Sequence, residues 1–316
     1  MSENRFRILF TAGGSPGQEA LYRDLQDRYV LFFADMDPQR ISPSIPATQR
    51  FKIPAATSED FVPVLSTLCK ELGVDLLVPG VDEELLKIWR AKKMFGATRL
   101  FMPKASFVEE MTDKLQMNRI FSNLGLDVPR AVRADESADG LEFPVLVKPR
   151  WGRGSRDIYH LATPEKLSFL LEVLDGDLSR WLVQECIVGK EYTVQIVAAA
   201  DSSLQVILPI HALEKRGSTT VASMHSDLEI ERYCEDIHRH LDPKGCYNVQ
   251  LIKSADGRVR CFEVNPRIST TFCMVIRAGF DPFKFFCEGM SVANRVGTVP
   301  DIRLVRHYIN EFVEAY

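Results

Sequence analysis

Two runs, Tyr247-Asn248-Val249-Gln250-Leu251-Ile252-Lys253 and Cys261-Phe262-Glu263-Val264-Asn265-Pro266-Arg267, constrain this chain more than any other feature. Between them sits Asp256-Gly257, a strong two-residue hairpin signal. Closing the turn there pairs Ala255 with Arg258, which sets Gln250 opposite Glu263 and Asn248 opposite Asn265. Strand side chains alternate between faces, so Glu263 and Asn265 are predicted to share one face while Phe262 and Val264 take the other. That face offers a carboxylate and carboxamide oxygens, with Arg267 at its end. Hard oxygen ligands of this kind suit Mg2+ bridging nucleotide phosphates, and a guanidinium suits developing phosphoryl charge. The plain alternative is a polar face on a surface hairpin, and a longer turn would shift the register.

Residues 1 to about 104 alternate apolar strands with helical stretches, which predicts a parallel, doubly wound sheet. Strands are expected at 6–10, 29–34 and 74–78, and helices at 58–72 and 82–95. Ser15-Pro16 reads as an N-cap followed by Pro at the first helical position. The texture changes at about Ala105. Residues 112–124 read as one amphipathic helix closed by Gly125. The second half is richer in strands, at 145–148, 182–185, 192–199 and 204–210, with helices at 227–241, 269–278 and 282–288. Lys215-Arg216-Gly217-Ser218-Thr219-Thr220 is polar and glycine-containing, and reads as a mobile loop over the site.

Bulk properties exclude several classes. At 316 residues the chain can hold two or three compact units. A net charge of −4 gives no general reason to expect nucleic acid or a membrane surface as partner. No apolar run approaches the roughly 20 residues that span a bilayer. The 7 cysteines are scattered without a C-x-x-C pair, which fits reduced thiols packed as small hydrophobes rather than a disulfide framework or zinc site. With no basic-then-apolar segment at the start, the expectation is a cytoplasmic protein.

Three segments could carry further chemistry. Arg150-Trp151-Gly152-Arg153-Gly154-Ser155-Arg156 follows a strand ending in Lys148-Pro149. Glycines let backbone N–H groups approach phosphate oxygens, and arginines add charge-assisted donors. An ordinary polar turn reads the same way in isolation. A buried lysine in Val-Leu-Val-Lys-Pro, however, wants an anion. Residues 182–193 look like an extended connector able to present backbone groups to an adenine edge, with Glu191 placed for ribose hydroxyls; two polar positions beside a strand is the plainer reading. Asp82-Glu83-Glu84 opens a helix at the carboxyl edge of the first sheet, either as acids on a helix N-terminus or as a site for a substrate amino group. Gly13-Gly14-Ser15-Pro16-Gly17 with Asp35 imitates a dinucleotide fingerprint, but its spacing is G-G-x-x-G and Pro16 removes an N–H.

Taken in order, Met111-Thr112-Asp113-Lys114, Val147-Lys148-Pro149, Gly152-Arg153-Gly154-Ser155-Arg156, Gln184-Glu185, Glu191-Tyr192-Thr193, Asn248-Val249-Gln250 and Glu263-Val264-Asn265-Pro266-Arg267 resemble the ATP-grasp superfamily. The resemblance is strongest to the synthetase domains of the carbamoyl phosphate synthase large chain and to small amino-acid ligases such as the pyrrolysine-biosynthesis ligase. It implies an α/β chain with a Rossmann-like domain at 1–104 and a two-lobed ATP-grasp fold at 105–316, its small lobe at about 128–186 and the nucleotide between the lobes. Lys114 and Lys148 would then contact phosphates, with Lys148 and Arg267 serving catalysis. Gly152, Arg153, Gly154, Ser155 and Arg156 would form the closing loop. Gln184, Glu185 and Ile187 would meet adenine, Glu191 the ribose, and Gln250, Glu263 and Asn265 two Mg2+ ions, for which Mn2+ can substitute. Asp157 stands where many relatives have a further loop glycine. The implied activity is an ATP-dependent carboxylate–amine ligase acting through an acyl phosphate on small molecules, with a homodimer expected. The alternatives are an enzyme releasing an acyl or carbamoyl phosphate, and a non-catalytic ATP-binding sensor.

Overall fold

The computed structural model describes residues 5–152, 154, 156–174, 176–288 and 300–307. The first unit is a five-stranded parallel sheet in the order β3-β2-β1-β4-β5. Its elements run β1 (Arg7–Phe10), α1 (Gln18–Leu25), β2 (Val30–Asp35), β3 (Arg50–Lys52), α2 (Phe61–Glu71), β4 (Leu76–Val78), α3 (Asp82–Arg90) and β5 (Arg99–Leu100). Apolar residues fill both faces, as a sheet covered on both sides requires. Ile8, Phe10, Leu31 and Phe33 pack on one side, and Leu9, Phe32, Ala34 and Leu77 on the other. Because β1 has β2 on one side and β4 on the other, a crevice opens beyond their carboxyl ends, where Thr11 and the start of α3 lie.

Helix α1 starts later than Ser15-Pro16 suggested. Ser15 N donates to Ala12 O at 2.9 Å, so that stretch is a turn, and the N-cap is Gly17 at φ 100°. A Cβ there would sit 2.4 Å from Thr270 O, so glycine is required by both conformation and contact. The Gly13-Gly14 loop is closed on its own chain: the Asp35 carboxylate accepts from Gly14 N at 3.0 Å and from Asp37 N at 3.0 Å.

Two helices follow, α4 (Ala105–Thr112) and α5 (Lys114–Asn123), where the sequence suggested only the second, at 112–124. Asp113 separates them and caps α5, accepting from Leu115 N at 3.1 Å and Gln116 N at 3.3 Å. The chain then forms a four-stranded antiparallel sheet in the order β6-β9-β7-β8. It comprises β6 (Ala131–Arg133), β7 (Val145–Pro149), β8 (Tyr159–Leu161), helix α6 (Pro164–Val173) and β9 (Trp181–Glu185). Its own core includes Val145, Val147, Leu161, Leu167 and Val183.

A six-stranded antiparallel sheet in the order β14-β13-β10-β11-β12-β15 completes the fold. Its elements are β10 (Lys190–Ala198), β11 (Leu204–Arg216), β12 (Ser218–Met224), α7 (Leu228–Leu241), β13 (Gly245–Lys253), β14 (Val259–Asn265), α8 (Cys273–Arg277), α9 (Pro282–Glu288) and β15 (Ile302–Val305). Alternation splits its side chains between two cores. Val194, Ile196, Val249 and Leu251 face the layer of α4, α5 and α7, while Val197, Leu208, Ile210 and Cys246 join the core of the first sheet. Residues 215–220 are not a loop: β11 continues through Arg216, turns at Gly217 and returns as β12, with Lys215 opposite Thr219. Lys215 of this hairpin end lines the cavity described below, while Thr219 and Thr220 are buried. Cys69, Cys186, Cys234, Cys246, Cys261 and Cys273 are free thiols, all but Cys186 buried in the cores. Among the described residues no helix is long and apolar enough to cross a membrane.

Candidate active site

The hairpin of β13 and β14 sets Gln250 opposite Glu263 and Asn248 opposite Asn265, as expected, but by another route. The turn is longer than two residues. Ser254 N donates to Arg258 O at 2.9 Å and Gly257 N to Ser254 O at 3.0 Å, leaving 255–257 as the loop with Gly257 at φ 84°. That shifts Lys253 opposite Val259 and Leu251 opposite Cys261. A bulge at Phe262 then restores the register before Glu263. The bulge also corrects the facing of Phe262, which lines the same cavity as Glu263 instead of the opposite face.

That cavity, of about 360 Å³, lies between the four- and six-stranded sheets. The four-stranded sheet and its loop contribute Lys148, Gly152, Arg156, Gln184 and Ile187; the six-stranded sheet contributes Glu191, Lys215, Gln250, Phe262 and Glu263; Lys114 and Glu83 close the far end. Leu146, Ile158, Ile187 and Ile252 make one stretch of wall apolar, while Lys114, Lys148 and Glu263 make another strongly charged. An elongated ligand with a flat apolar part and an anionic tail matches that division.

The charged stretch is held from several sides. Lys114, at the start of α5, has Nζ 3.3 Å from Glu263 Oε1 and donates to Gly152 O at 2.7 Å. Lys148 is 4% exposed, its Nζ 3.4 Å from Phe262 O and 5.3 Å from the centroid of that ring. Burial pulls its ammonium down to about 8, with Glu263 opposing the shift and Lys114 reinforcing it. A cation so deprived of water is poised for an anion. Asp113 ties this region together, since its carboxylate pairs with Arg150 while Lys114 N donates to Arg150 O at 3.0 Å. Arg150 is thereby committed to Asp113 and to the face of Trp151, 4.5 Å away.

Arg267 is fixed by Asp82, its Nε 2.7 Å from Oδ1 and its Nη2 2.9 Å from Oδ2. Nη2 also donates to Asn265 Oδ1 at 3.0 Å. Asn248 supports the same group from below, donating to Arg267 O at 2.9 Å and accepting from Asn265 Nδ2 at 3.2 Å. The first sheet thus reaches the hairpin through one bidentate ion pair.

Other expected residues are distributed unevenly. Gln184 and Ile187 line the cavity, whereas the Glu185 carboxylate turns to Arg130, accepting from its N at 3.0 Å. Glu191 lines the cavity paired with Lys215, a residue the sequence reading assigned only to a loop. Gly152 and Gly154 both have positive φ, and Asp157 at φ 55° adopts the left-handed conformation a glycine would supply. Arg153 and Ser155 lie outside the described residues. Phe262 was not foreseen as part of the site, whereas Trp151 and Cys186 lie within the loop and connector singled out from the sequence, and Asp82 within the acidic helix start read as a site for a substrate amino group.

Comparison with known proteins agrees with this architecture. A family model described as an ATP-grasp domain matches residues 111–271, half of the chain. The chain belongs to the ATP-grasp family. Members of this family are ATP-dependent ligases. A carbamoyl phosphate synthase large chain from Acidobacterium capsulatum is 24% identical over 261 residues, covering 75% of this chain and 23% of that one. This chain therefore spans about a quarter of the length of such relatives. Among solved structures, N5-carboxyaminoimidazole synthetase from Staphylococcus aureus, complexed with ADP, aligns with TM-score 0.71 and 14% identity over 96% of this chain and 83% of that one. The biotin carboxylase domain of 2-oxoglutarate carboxylase from Hydrogenobacter thermophilus, in complex with MgADP, ADP and bicarbonate, aligns with TM-score 0.70 and 15% identity, covering 93% and 72%. These likenesses establish the shared fold.

Proposed function

We propose that this protein is an ATP- and Mg2+-dependent ligase that activates a small carboxylate as its acyl phosphate and passes the acyl group to an amine. The observation that carries this reading is the meeting of Lys114, Lys148 and Glu263 at one end of a cavity whose other wall is apolar. Adenine would lie against Ile187 and Ile252 beside Gln184 and the backbone near Glu185, and Glu191 would meet the ribose. Lys114, Lys148, Arg156 and the glycine loop, with Arg153 and Ser155, would surround the triphosphate.

Among the described residues no cluster of three or more His, Cys, Asp or Glu could hold a metal by itself. Gln250, Glu263 and Asn265 offer one carboxylate and two carboxamides, a set that fits Mg2+ arriving with its phosphates, since that ion uses few protein ligands. When bound, it neutralises charge on the phosphate oxygens.

In the first step a carboxylate oxygen attacks the γ-phosphorus, the bond to the bridging oxygen breaks, and ADP leaves with the electron pair. Lys148 and Lys114 balance the charge on the equatorial and leaving oxygens. Arg267, oriented by Asp82 and Asn265, is placed to steady the transferred group. An amine then adds to the acyl carbon, and phosphate departs as the C–N bond forms. Folding of the 152–157 loop over the site would keep water from the acyl phosphate.

The test is ADP release by the purified protein with MgATP and pooled carboxylates and amines, compared with Glu263→Ala. Stimulated turnover that vanishes in the variant, with an unchanged circular dichroism spectrum, is expected. MgATP binding without any substrate-stimulated turnover would favour a sensor and reject the ligase.

A further inference from the structure

Lys215 reaches the nucleotide cavity through an irregularity in β11. Strands β10 and β11 pair Tyr192 with His211, and the two rings stack with centroids 5.0 Å apart. Tyr192 belongs to the core shared with α4, α5 and α7, so its neighbour Glu191 points to the opposite face, into the cavity. Strict alternation from His211 would put Lys215 on the Tyr192 face, away from Glu191. The ladder with β12 prevents this. Ala212 faces Ala222 and Glu214 faces Val221, so Leu213 is an extra residue with no counterpart. One extra residue inverts the alternation beyond it. Lys215 thereby lines the cavity and pairs with the Glu191 carboxylate.

The pair does little for stability. Lys215 is 32% and Glu191 28% exposed, and ion pairs in contact with water contribute little to folding. What the pair fixes is the direction of the carboxylate. A glutamate side chain turns about several bonds, and its ionised carboxylate accepts hydrogen bonds through two oxygens. Lys215 engages Oε1, holding one orientation and keeping the group charged. Ile252, across the β10–β13 ladder from Glu191, makes the adjoining wall apolar together with Ile187. A base on that wall places its sugar beside Glu191. Vicinal hydroxyls donate twice and match a fixed carboxylate, whereas a sugar lacking one of them leaves an oxygen unmatched.

We infer that Lys215 sets the preference of this site for a ribonucleotide over a deoxyribonucleotide. It is a positioning residue, which acts by aiming Glu191 at the vicinal hydroxyls without touching the sugar itself. The inference rests on the nucleotide site of the ligase reading and adds to it the residue that decides the sugar.

The experiment measures binding of MgATP and Mg-2′-deoxyATP to the full chain by isothermal titration calorimetry, with AMP and ADP as further probes. The wild type should bind MgATP at least about tenfold more tightly than Mg-2′-deoxyATP, the size expected of a hydrogen bond to a charged group. Lys215→Met should cut that ratio to about threefold or less by weakening MgATP, with the affinity for Mg-2′-deoxyATP within about twofold of wild type. Lys215→Arg should restore the ratio, because its guanidinium also donates to a carboxylate. Glu191→Gln should lose the preference too, and adding Lys215→Met to it should change nothing further, as for residues that act through one contact. Were Lys215 to grip the phosphates instead, Lys215→Met would weaken both nucleotides alike, by a factor growing from AMP to ADP to ATP. That pattern, or an unchanged ratio in Lys215→Met, overturns the inference and leaves the ligase reading standing. So does a wild type that binds the two nucleotides equally. A protein that does not bind MgATP removes both.

Discussion

Replacing Lys148 by methionine is expected to stabilise the protein in the absence of nucleotide and to abolish its response to MgATP. Lys148 is 4% exposed, and burial lowers its ammonium from 10.5 to about 8. At about 1.4 kcal/mol per tenfold change in proton affinity, that drop amounts to about 3 kcal/mol borne by the charged lysine at pH 7. A base depressed in the folded state costs stability in full below its folded value and nothing above its unfolded one. The advantage of methionine is therefore complete at pH 7 and shrinks between about pH 8 and 10.5. Methionine keeps a flexible apolar stem against the Phe262 ring, so little packing is lost. Urea unfolding at pH 7 should show a gain of about 1–3 kcal/mol for the variant. MgATP at 100 times its Kd should add about 2.7 kcal/mol to the wild type and nothing to the variant. A variant that is less stable than wild type without nucleotide would refute the reasoning, because the lysine would then be satisfied within the protein. Undiminished stabilisation by MgATP would refute it equally.

Three further substitutions probe the surroundings. Asp82→Asn removes one arm of the bidentate pair with Arg267, and steady-state kinetics should show kcat reduced at least tenfold with the KM for MgATP within about twofold. Glu84 is buried beside Thr11, whose hydroxyl donates to it, and burial raises its carboxyl from 4.5 to about 7. An acid raised in the folded state loses stability as pH climbs from about 4.5 to 7, so Glu84→Gln should abolish that slope in urea midpoints and be more stable at pH 8 by up to about 3 kcal/mol. Gly17→Ala places a Cβ 2.4 Å from Thr270 O at φ 100°, and should lower the unfolding free energy by about 1–3 kcal/mol, measured by thermal melts.

In the first sheet β1, β2 and β4 were legible as short apolar runs, whereas β3 (Arg50–Lys52) and β5 (Arg99–Leu100) are too short and too charged to be read that way and were missed. Boundaries decided by single side chains escaped as well. Helix α4 was not read from the sequence, although Phe107, Val108 and Met111 are buried along it, and its junction with α5 depends on Asp113 capping the second helix. That same carboxylate pairs with Arg150, 37 residues away, a contact no local pattern announces. Likewise the polarity of 215–220 says nothing of whether the backbone is paired: Thr219 and Thr220 are buried in β12, with Lys215 opposite Thr219.

The candidate site was legible as residue types and only partly as geometry. Gln250 and Glu263 would face each other across a two-residue turn with an unbroken strand, or across a three-residue turn with a bulge. Asp256-Gly257 is compatible with both, and the chain uses the second. The two routes agree at Gln250 and beyond but differ from Phe262 back to the turn, where Leu251 faces Cys261 and Lys253 faces Val259. In an unbroken strand the Phe262 ring would enter the core with Val264; as the bulged residue it lines the cavity, where its carbonyl and ring both meet Lys148. Bulges redirect a side chain at the expense of one unpaired residue. Here the redirected residue lies against Lys148, whose ammonium burial depresses, so the bulge and the perturbed lysine meet at one point of the cavity wall.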